Sequence, residues 1–274
     1  MGRILHLSDL HFGTDRYELR QPLVDLAQTV KPDVIILSGD LTQRALKSQF
    51  SDCAALIRRM PAPVLCVPGN HDVPLYNPLA RMFWPFRAYR TAISNNLEPV
   101  FHSHDLAVIG VNTTDPKVWQ RGLISAETLA RACARLRACA PGQLRVVVLH
   151  HPLTQPAATG KAPMQGADAA AEAFAEAGAD VVLSGHLHQW AADPFALRKG
   201  GRFMLCVQAG TTLSTRLRGE ENDANVIDHD QGRVMVTRYV ASDTHPTFQP
   251  APGASFHQHD QGWQSSPHSS GNQT

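Results

Sequence analysis

The sequence predicts an α/β layered fold, and three observations predict it. Short β-branched runs alternate with stretches of helical spacing through the first half of the chain. The runs are too short for helices and are bounded by Gly, Pro, Asp and Ser. Five of them end in a turn that carries Asp, His or Asn.

Taken in order, Arg3–Leu7 is a short apolar run ending at Ser8-Asp9 and reads as a buried strand. Leu19, Leu23, Leu26 and Val30 share one face of a helix over Leu19–Val30. Asp33–Ser38 is a strand closed by Gly39-Asp40, and Arg44–Met60 reads as a helix. Ala62–Val67 is a strand closed by Pro68-Gly69; Pro85–Asn95 is helical, and Pro99–Asn112 holds two short strands. Ser125 suits the N-cap of a helix running to Cys139. Leu144–Leu149 and Asp180–Ser184 read as strands around a helix at Gly166–Ala177. Phe203–Gln208, Ala224–Asp228 and Arg233–Ala241 make a β-rich final third. From Thr244 the composition turns to Ser, Gln, Pro and His with isolated Phe248, Phe256 and Trp263. The expectation is a folded unit over 1–243 and a mobile tail over 244–274, with His257, His259 and His268 as solvated tail histidines.

Composition narrows the function. The 274 residues hold 25 Lys plus Arg against 24 Asp plus Glu, a formal charge of +1, without the basic excess of a general nucleic-acid binder. Five cysteines, Cys53, Cys66, Cys133, Cys139 and Cys206, form no CxxC pair, which reads as buried thiols in a reducing compartment. No apolar run approaches a membrane span, and Met1–Leu10 is broken by His6, Ser8 and Asp9, unlike a signal peptide. A cytoplasmic protein is the expectation. Histidine is abundant, with 14 residues, several at the ends of apolar runs.

Those run ends carry the chemistry. They are Ser8-Asp9-Leu10-His11, Gly39-Asp40, Gly69-Asn70-His71-Asp72, Leu149-His150-His151-Pro152 and Gly185-His186-Leu187-His188. Carboxyl ends of strands in open α/β sheets converge on a ligand crevice. A single Gly-Asp or His-Pro is ordinarily a turn, but five such ends assemble carboxylate, amide and imidazole donors in one place. That donor set, without thiolate, suits manganese, iron or zinc.

The set, in this order, resembles the calcineurin-like metallophosphoesterase superfamily, whose signature runs DxH, GDxx, GNHD, H and GHxH. The resemblance spans about Arg3–Tyr239. The motif order and the His150-His151-Pro152 form resemble bacterial cyclic-nucleotide and glycerophosphodiester phosphodiesterases most. It implies a four-layer α-β-β-α sandwich of two mixed sheets. It also implies two metal ions (Mn2+, Fe2+/Fe3+ or Zn2+), one held by Asp9, His11, Asp40 and His188, the other by Asp40, Asn70, His150 and His186. The implied reaction is in-line attack of a metal-bound hydroxide on phosphorus, with a net positive centre drawing in the anion. His71 would stabilise developing charge or protonate the leaving oxygen. Asp72 would orient the His71 ring or cap the following turn. His151 is assigned to packing or outer hydrogen bonding, while Asn112, Thr113, His102 and His104 are read as structural.

A 3′,5′-cyclic nucleotide is the leading substrate expectation, from the subgroup resemblance. A glycerophosphodiester and a nucleotide-linked lipid (UDP-diacylglucosamine-type) pyrophosphate follow, and a non-catalytic interaction scaffold is the reading from another class. The near-neutral charge weighs against a DNA nuclease. Gly39-Asp40-Leu41-Thr42-Gln43-Arg44-Ala45 and Gly69-Asn70-His71-Asp72 depart from the GDxxDRG and GNHE of phosphoprotein phosphatases. Leu75–Arg90 mixes Tyr76, Phe83, Trp84 and Phe86 with Arg81, Arg87 and Arg90. An amphipathic packing helix is the plain expectation there, with a substrate cap or a peripheral membrane contact as functional readings. Arg216 and Arg218 fall on a loop placed near the cleft because Gly210-Thr211-Thr212 follows a strand.

Overall fold

The computed structural model describes residues 1–155, 162–195, 203–260 and 262–266. In chain order its elements are β1 (Gly2–Leu7), α1 (Arg20–Val30), β2 (Val34–Leu37), α2 (Lys47–Ile57), β3 (Val64–Cys66), α3 (Pro78–Phe83), α4 (Arg87–Ala92), β4 (Val100–His102) and β5 (Leu106–Gly110). They continue with α5 (Ala126–Arg137), β6 (Leu144–Val148), α6 (Ala167–Glu176), β7 (Val181–Ser184), β8 (Ala191–Phe195), β9 (Met204–Gln208), β10 (Asn222–Asp230), β11 (Arg233–Ala241), β12 (Gln249–His259) and β13 (Gly262–Ser265). Ser125 caps α5 as expected, its hydroxyl accepting the Thr128 N–H at 3.1 Å.

The strands form two mixed sheets, ordered β13-β12-β11-β10-β1-β2-β3 and β4-β5-β6-β7-β9-β8. In the first, β1, β2 and β3 run parallel and β10 joins β1 antiparallel. In the second, β5, β6, β7 and β9 run parallel between antiparallel β4 and β8. Side-chain alternation explains why both faces of each sheet are covered. On β2, Val34 and Ile36 face the other sheet while Ile35 and Leu37 face α1 and α2. On β6, Val146 and Val148 enter the seam between sheets while Val147 packs toward α5 and α6. The result is helix, sheet, sheet, helix. Among the described residues no helix is long and apolar enough to cross a membrane.

The tail expected from Thr244 is a correction. Over 249–259 and 262–265 the chain forms β12 and β13, which extend the first sheet beyond β11. Phe256 (1% exposed) and Trp263 (0%) lie in the seam between the sheets. The strand pattern is faint in the sequence because the rest of β12 is partly or fully exposed, so one anchoring aromatic serves a polar strand at a sheet margin. His257 and His259 are exposed on β12; His268 and 267–274 lie outside the described residues.

Candidate metal centre

Asp9 and His11 follow β1, Asp40 follows β2, Asn70 follows β3, His150 follows β6, and His186 and His188 follow β7. The site therefore sits at the carboxyl ends of parallel strands from both sheets. All seven side chains are buried, with His186 at 7% the most exposed. Five of them adopt left-handed backbone: Asp9 (φ 52°), His11 (49°), Asp40 (51°), His186 (73°) and His188 (58°). Such a conformation costs about 1–2 kcal/mol for a non-glycine residue. Cross-strand contacts hold it, the Asp9 N–H donating to Gly39 O (3.1 Å), His11 N–H to Asp40 O (3.0 Å), and His186 N–H to Asp9 Oδ2 (2.9 Å). Gly39 has φ 101°, and a Cβ there would meet the His150 ring at 2.6 Å; a Cβ on Gly69 would strike the Asp40 carboxylate.

The donor atoms converge in two adjoining groups. In one, Asp9 Oδ1 lies 3.1 Å from His188 Nε2 and 3.4 Å from His11 Nε2, and the two Nε2 atoms are 3.2 Å apart. In the other, His150 Nε2 lies 3.2 Å from Asn70 Oδ1, 3.3 Å from His186 Nδ1 and 3.4 Å from Asp40 Oδ2. Asp40 Oδ2 also lies 3.7 Å from His11, so this carboxylate faces both groups.

Hydrogen bonding outside the cluster decides what these atoms present. His188 Nδ1–H donates to the Arg216 carbonyl (2.9 Å) and His150 Nδ1–H to the Ser38 carbonyl (2.8 Å), leaving Nε2 of each with its lone pair inward. Asp9 Oδ2 is taken by the Ser8 hydroxyl (2.6 Å) and the His186 N–H, while buried Oδ1 has no hydrogen-bond partner. Carboxylate, amide and imidazole lone pairs thus converge on one place, an arrangement that suits a metal cation. Burial would raise the Asp9 and Asp40 carboxyls, yet the facing imidazoles hold both well below the usual carboxylate range. Burial would likewise lower His150, but Asp40 and Asp9 push it up to about 9. A field that would keep a proton on His150 is one that binds cations. The donor chemistry is compatible with a dinuclear metal centre.

His71 lies at the rim, half-buried, its ring edge-on to His11 at 4.9 Å. Its N–H donates to Asp40 Oδ1 (2.8 Å) and its Nδ1–H to the Gln43 carbonyl (2.8 Å), which leaves Nε2 3.3 Å from the Arg216 guanidinium. Asp72 does not make the expected contact with that ring. Its carboxylate accepts from the N–H groups of Gly69 (2.9 Å), Leu41 (3.1 Å) and Thr42 (2.9 Å) and from the Thr42 hydroxyl (3.0 Å). It ties the turn after β2 to the turn after β3. Burial, with Asp40 adding, pushes its carboxyl up to about 6 against those N–H donors.

His151 is buried, its ring 4.9 Å from His150 and 4.7 Å from His186, with Nδ1 2.9 Å from the Thr113 hydroxyl. His104 is exposed and pairs with its neighbour Asp105. Sequence reasoning left out Gln43, which holds both His71 and, through Oε1, the Arg216 guanidinium at 3.4 Å. It also left out Ser8 and Thr211, the latter donating to the Asp9 carbonyl at 2.7 Å. For Gln43 and Ser8 the available signal was their position beside the motifs. Arg216, placed only on a nearby loop, reaches the site with both side chain and carbonyl.

A layered α/β sandwich with clustered carboxylate and imidazole donors at its strand ends defines a candidate metal-binding centre. The family model described as Calcineurin-like phosphoesterase matches residues 2–190, and the chain belongs to that family. Its matched region carries all seven donors and His71, so metal-dependent phosphoester hydrolysis is the family chemistry these residues suit. Among solved structures, purple acid phosphatase PPD1 from yellow lupin (Lupinus luteus) seeds superposes with TM-score 0.70 at 12% identity, covering 92% of this chain and 53% of that one. GAP50, the anchor in the inner membrane complex of Plasmodium, gives 0.55 at 12% identity over 92% and 88%. Vacuolar Protein Sorting 29 from Cryptosporidium parvum gives 0.51 at 13% over 93% and 98%. These likenesses are of fold. The DNA double-strand break repair protein Mre11 of Saccharolobus solfataricus is 37% identical over 90 residues, 27% of this chain. The matched part spans 23% of that curated relative's length.

Proposed function

We propose that this chain is a metal-dependent phosphodiesterase for a small phosphodiester, with a 3′,5′-cyclic nucleotide as the first substrate to test. The observation that carries the reading is the His71–Arg216 pair set beside the converging donor atoms, one group suited to proton transfer and one to anion binding. Metal ions bound by Asp9, His11, Asp40, His188, Asn70, His150 and His186 would supply Lewis acidity toward phosphoryl oxygens and acidify water; manganese, iron or zinc suits the donors. The Arg216 guanidinium is placed to take a phosphoryl oxygen and keeps its charge at any working pH. His71, pinned through Nδ1–H to Gln43, offers Nε2 to the cleft; in the imidazolium form Nε2–H can protonate a departing ester oxygen. That role suits any phosphoester whose leaving group is an alkoxide, a diester included. The motif order and the His150-His151-Pro152 form support a cyclic nucleotide. The five free thiols, four of them buried, support a reducing, cytoplasmic setting.

The test is hydrolysis of bis(p-nitrophenyl) phosphate beside the matching monoester, with manganese and after chelation, followed by 3′,5′-cyclic nucleotides, glycerophosphodiesters and a UDP-linked lipid pyrophosphate. Metal-dependent turnover favouring the diester is expected. Preference for the monoester overturns the diester assignment. Metal-loaded protein inert toward the whole panel points to an interaction scaffold.

A further inference from the structure

The Leu75–Arg90 segment does not pack as one amphipathic helix. It breaks into α3 and α4, and only the latter inserts a fully buried aromatic, Tyr89. In front of it the large apolar side chains project outward: Leu79 is 68% exposed, Met82 73%, Phe83 56% and Trp84 60%, with Tyr76 and, from a separate loop, Trp119 also exposed. This array is held in place rather than trailing. The Arg81 guanidinium donates to the carbonyls of Pro74 (3.1 Å), Pro116 (2.6 Å) and Val118 (2.6 Å) and lies 5.7 Å from the Trp119 ring, so α3 and the 115–119 loop form one surface. A soluble monomer rarely keeps so many large apolar side chains together in water without a partner.

The charge around the array indicates which partner. No Asp or Glu occurs from Val73 through Leu97, while Arg81, Arg87 and Arg90 do. Behind the projecting side chains a groove of about 840 Å³ brings Tyr76, Ala80 and Trp84 against Arg44, Lys47, Arg58 and Arg87, with no acidic residue in its lining. Arg44 lies over the Tyr76 ring at 4.9 Å. The whole chain carries a formal charge of only +1, so this is a local concentration of positive charge. Apolar tips, interfacial Trp and Tyr, and a cationic groove lining without acids match an anionic lipid headgroup layer above acyl chains, Asp115 beside Arg81 being the acid on the joined loop. We propose that the Tyr76–Trp84 projection, with Trp119, docks this protein on the surface of an anionic bilayer, with Arg44, Lys47, Arg58 and Arg87 at the headgroups. The groove's rims continue directly into the site: Arg44 follows Gln43, and Pro74-Leu75 follow His71-Asp72-Val73. Docking would set the metal centre beside the membrane surface, whichever phosphoester it cleaves.

The test uses full-length metal-loaded protein in flotation with vesicles of phosphatidylcholine alone and of phosphatidylcholine with phosphatidylglycerol in equal parts. Partition onto the anionic vesicles is expected, weakening with salt. The triple variant L79S/F83S/W84S should lower it by about tenfold or more, and R58E/R87E should lower it on anionic vesicles only. Neither variant touches the donor cluster, so metal content and turnover of bis(p-nitrophenyl) phosphate should stay at the parent level, which also shows that the fold survives. No partition onto anionic vesicles, or partition that both variants leave unchanged, overturns the proposal. Equal binding to neutral vesicles overturns the headgroup part. A concentration-dependent dimer abolished by L79S/F83S/W84S would instead assign the surface to a second copy of this chain.

Discussion

Two neighbouring stretches of chain use their polar groups in opposite ways. In the donor cradle the seven donor side chains are buried, and the outward atoms of two imidazoles are fixed by named partners, Ser38 for His150 and Arg216 for His188, while Gln43 holds half-buried His71 at the rim. A few residues on, across α3, polar groups secure only the backbone, through the three carbonyls that Arg81 binds, while the large side chains face water. The cradle holds strain and converging lone pairs that suit a bound cation. The projection holds apolar surface that nothing in the fold covers. The first should therefore be sensitive to single atoms, and the second nearly indifferent to them in stability.

The largest effect is expected at Asp40, whose carboxylate faces both donor groups and also accepts the His71 N–H. Asp40→Ala should cost activity well beyond the roughly 10–100-fold typical of residues outside the ligand set, with metal lost by elemental analysis. Chelation of the parent should lower its thermal midpoint, because a metal that binds only the folded state stabilises it. An Asp40→Ala protein that keeps two metals would break the account of the cradle. Next is His71→Ala, expected to lower turnover by roughly 10²–10⁴-fold with metal content unchanged. Loss of metal in that variant would make His71 part of the cradle instead.

Arg216 separates side chain from backbone. Arg216→Ala removes the guanidinium near His71 but leaves the carbonyl that holds His188. The expected result is a fall in kcat/KM of about tenfold or more, mostly through KM, with metal retained. Asp72→Ala acts on the fold. It strands three backbone N–H groups on the turns after β2 and β3, the Thr42 hydroxyl keeping the His71 carbonyl, and should cost about 3 kcal/mol of stability, read from the denaturation midpoint.

Much of this was legible in the sequence, and the reason is local. Ligands sit at the ends of apolar strand runs, so Ser8-Asp9-Leu10-His11 or Gly185-His186-Leu187-His188 announces both a strand and what it carries. What escaped depends on long-range packing. Asp72 lies next to His71 in sequence, yet its carboxylate turns to Leu41 and Thr42, residues 31 and 30 positions away. Arg216 reaches His71 across 145 residues. The left-handed backbone at five ligands leaves only a weak trace in residue type, since Asp and His tolerate that conformation better than most non-glycine residues but do not signal it as glycine often does. The β12–β13 hairpin was hidden because two buried aromatics, Phe256 and Trp263, anchor two otherwise polar strands.

The smallest effect is the one that sharpens the comparison most. Leu79→Ser replaces a large apolar side chain, which in a core would cost several kcal/mol. Leu79 is 68% exposed on the six-residue α3, so its folded and unfolded surroundings differ little. The change in unfolding free energy should stay within about 0.5 kcal/mol. Tyr89, only ten residues on, is the internal control. It is fully buried against Phe50, its hydroxyl donating to the Cys66 carbonyl at 2.9 Å. Tyr89→Phe should remove that bond and leave the carbonyl short of a partner, at about 1 kcal/mol. Paired urea titrations decide the matter. If Leu79→Ser costs more than Tyr89→Phe, the projection packs on the fold after all and is not free surface. The reverse order would mean that its apolar character contributes almost nothing to folding, so any selection for it must act through what it touches outside the chain.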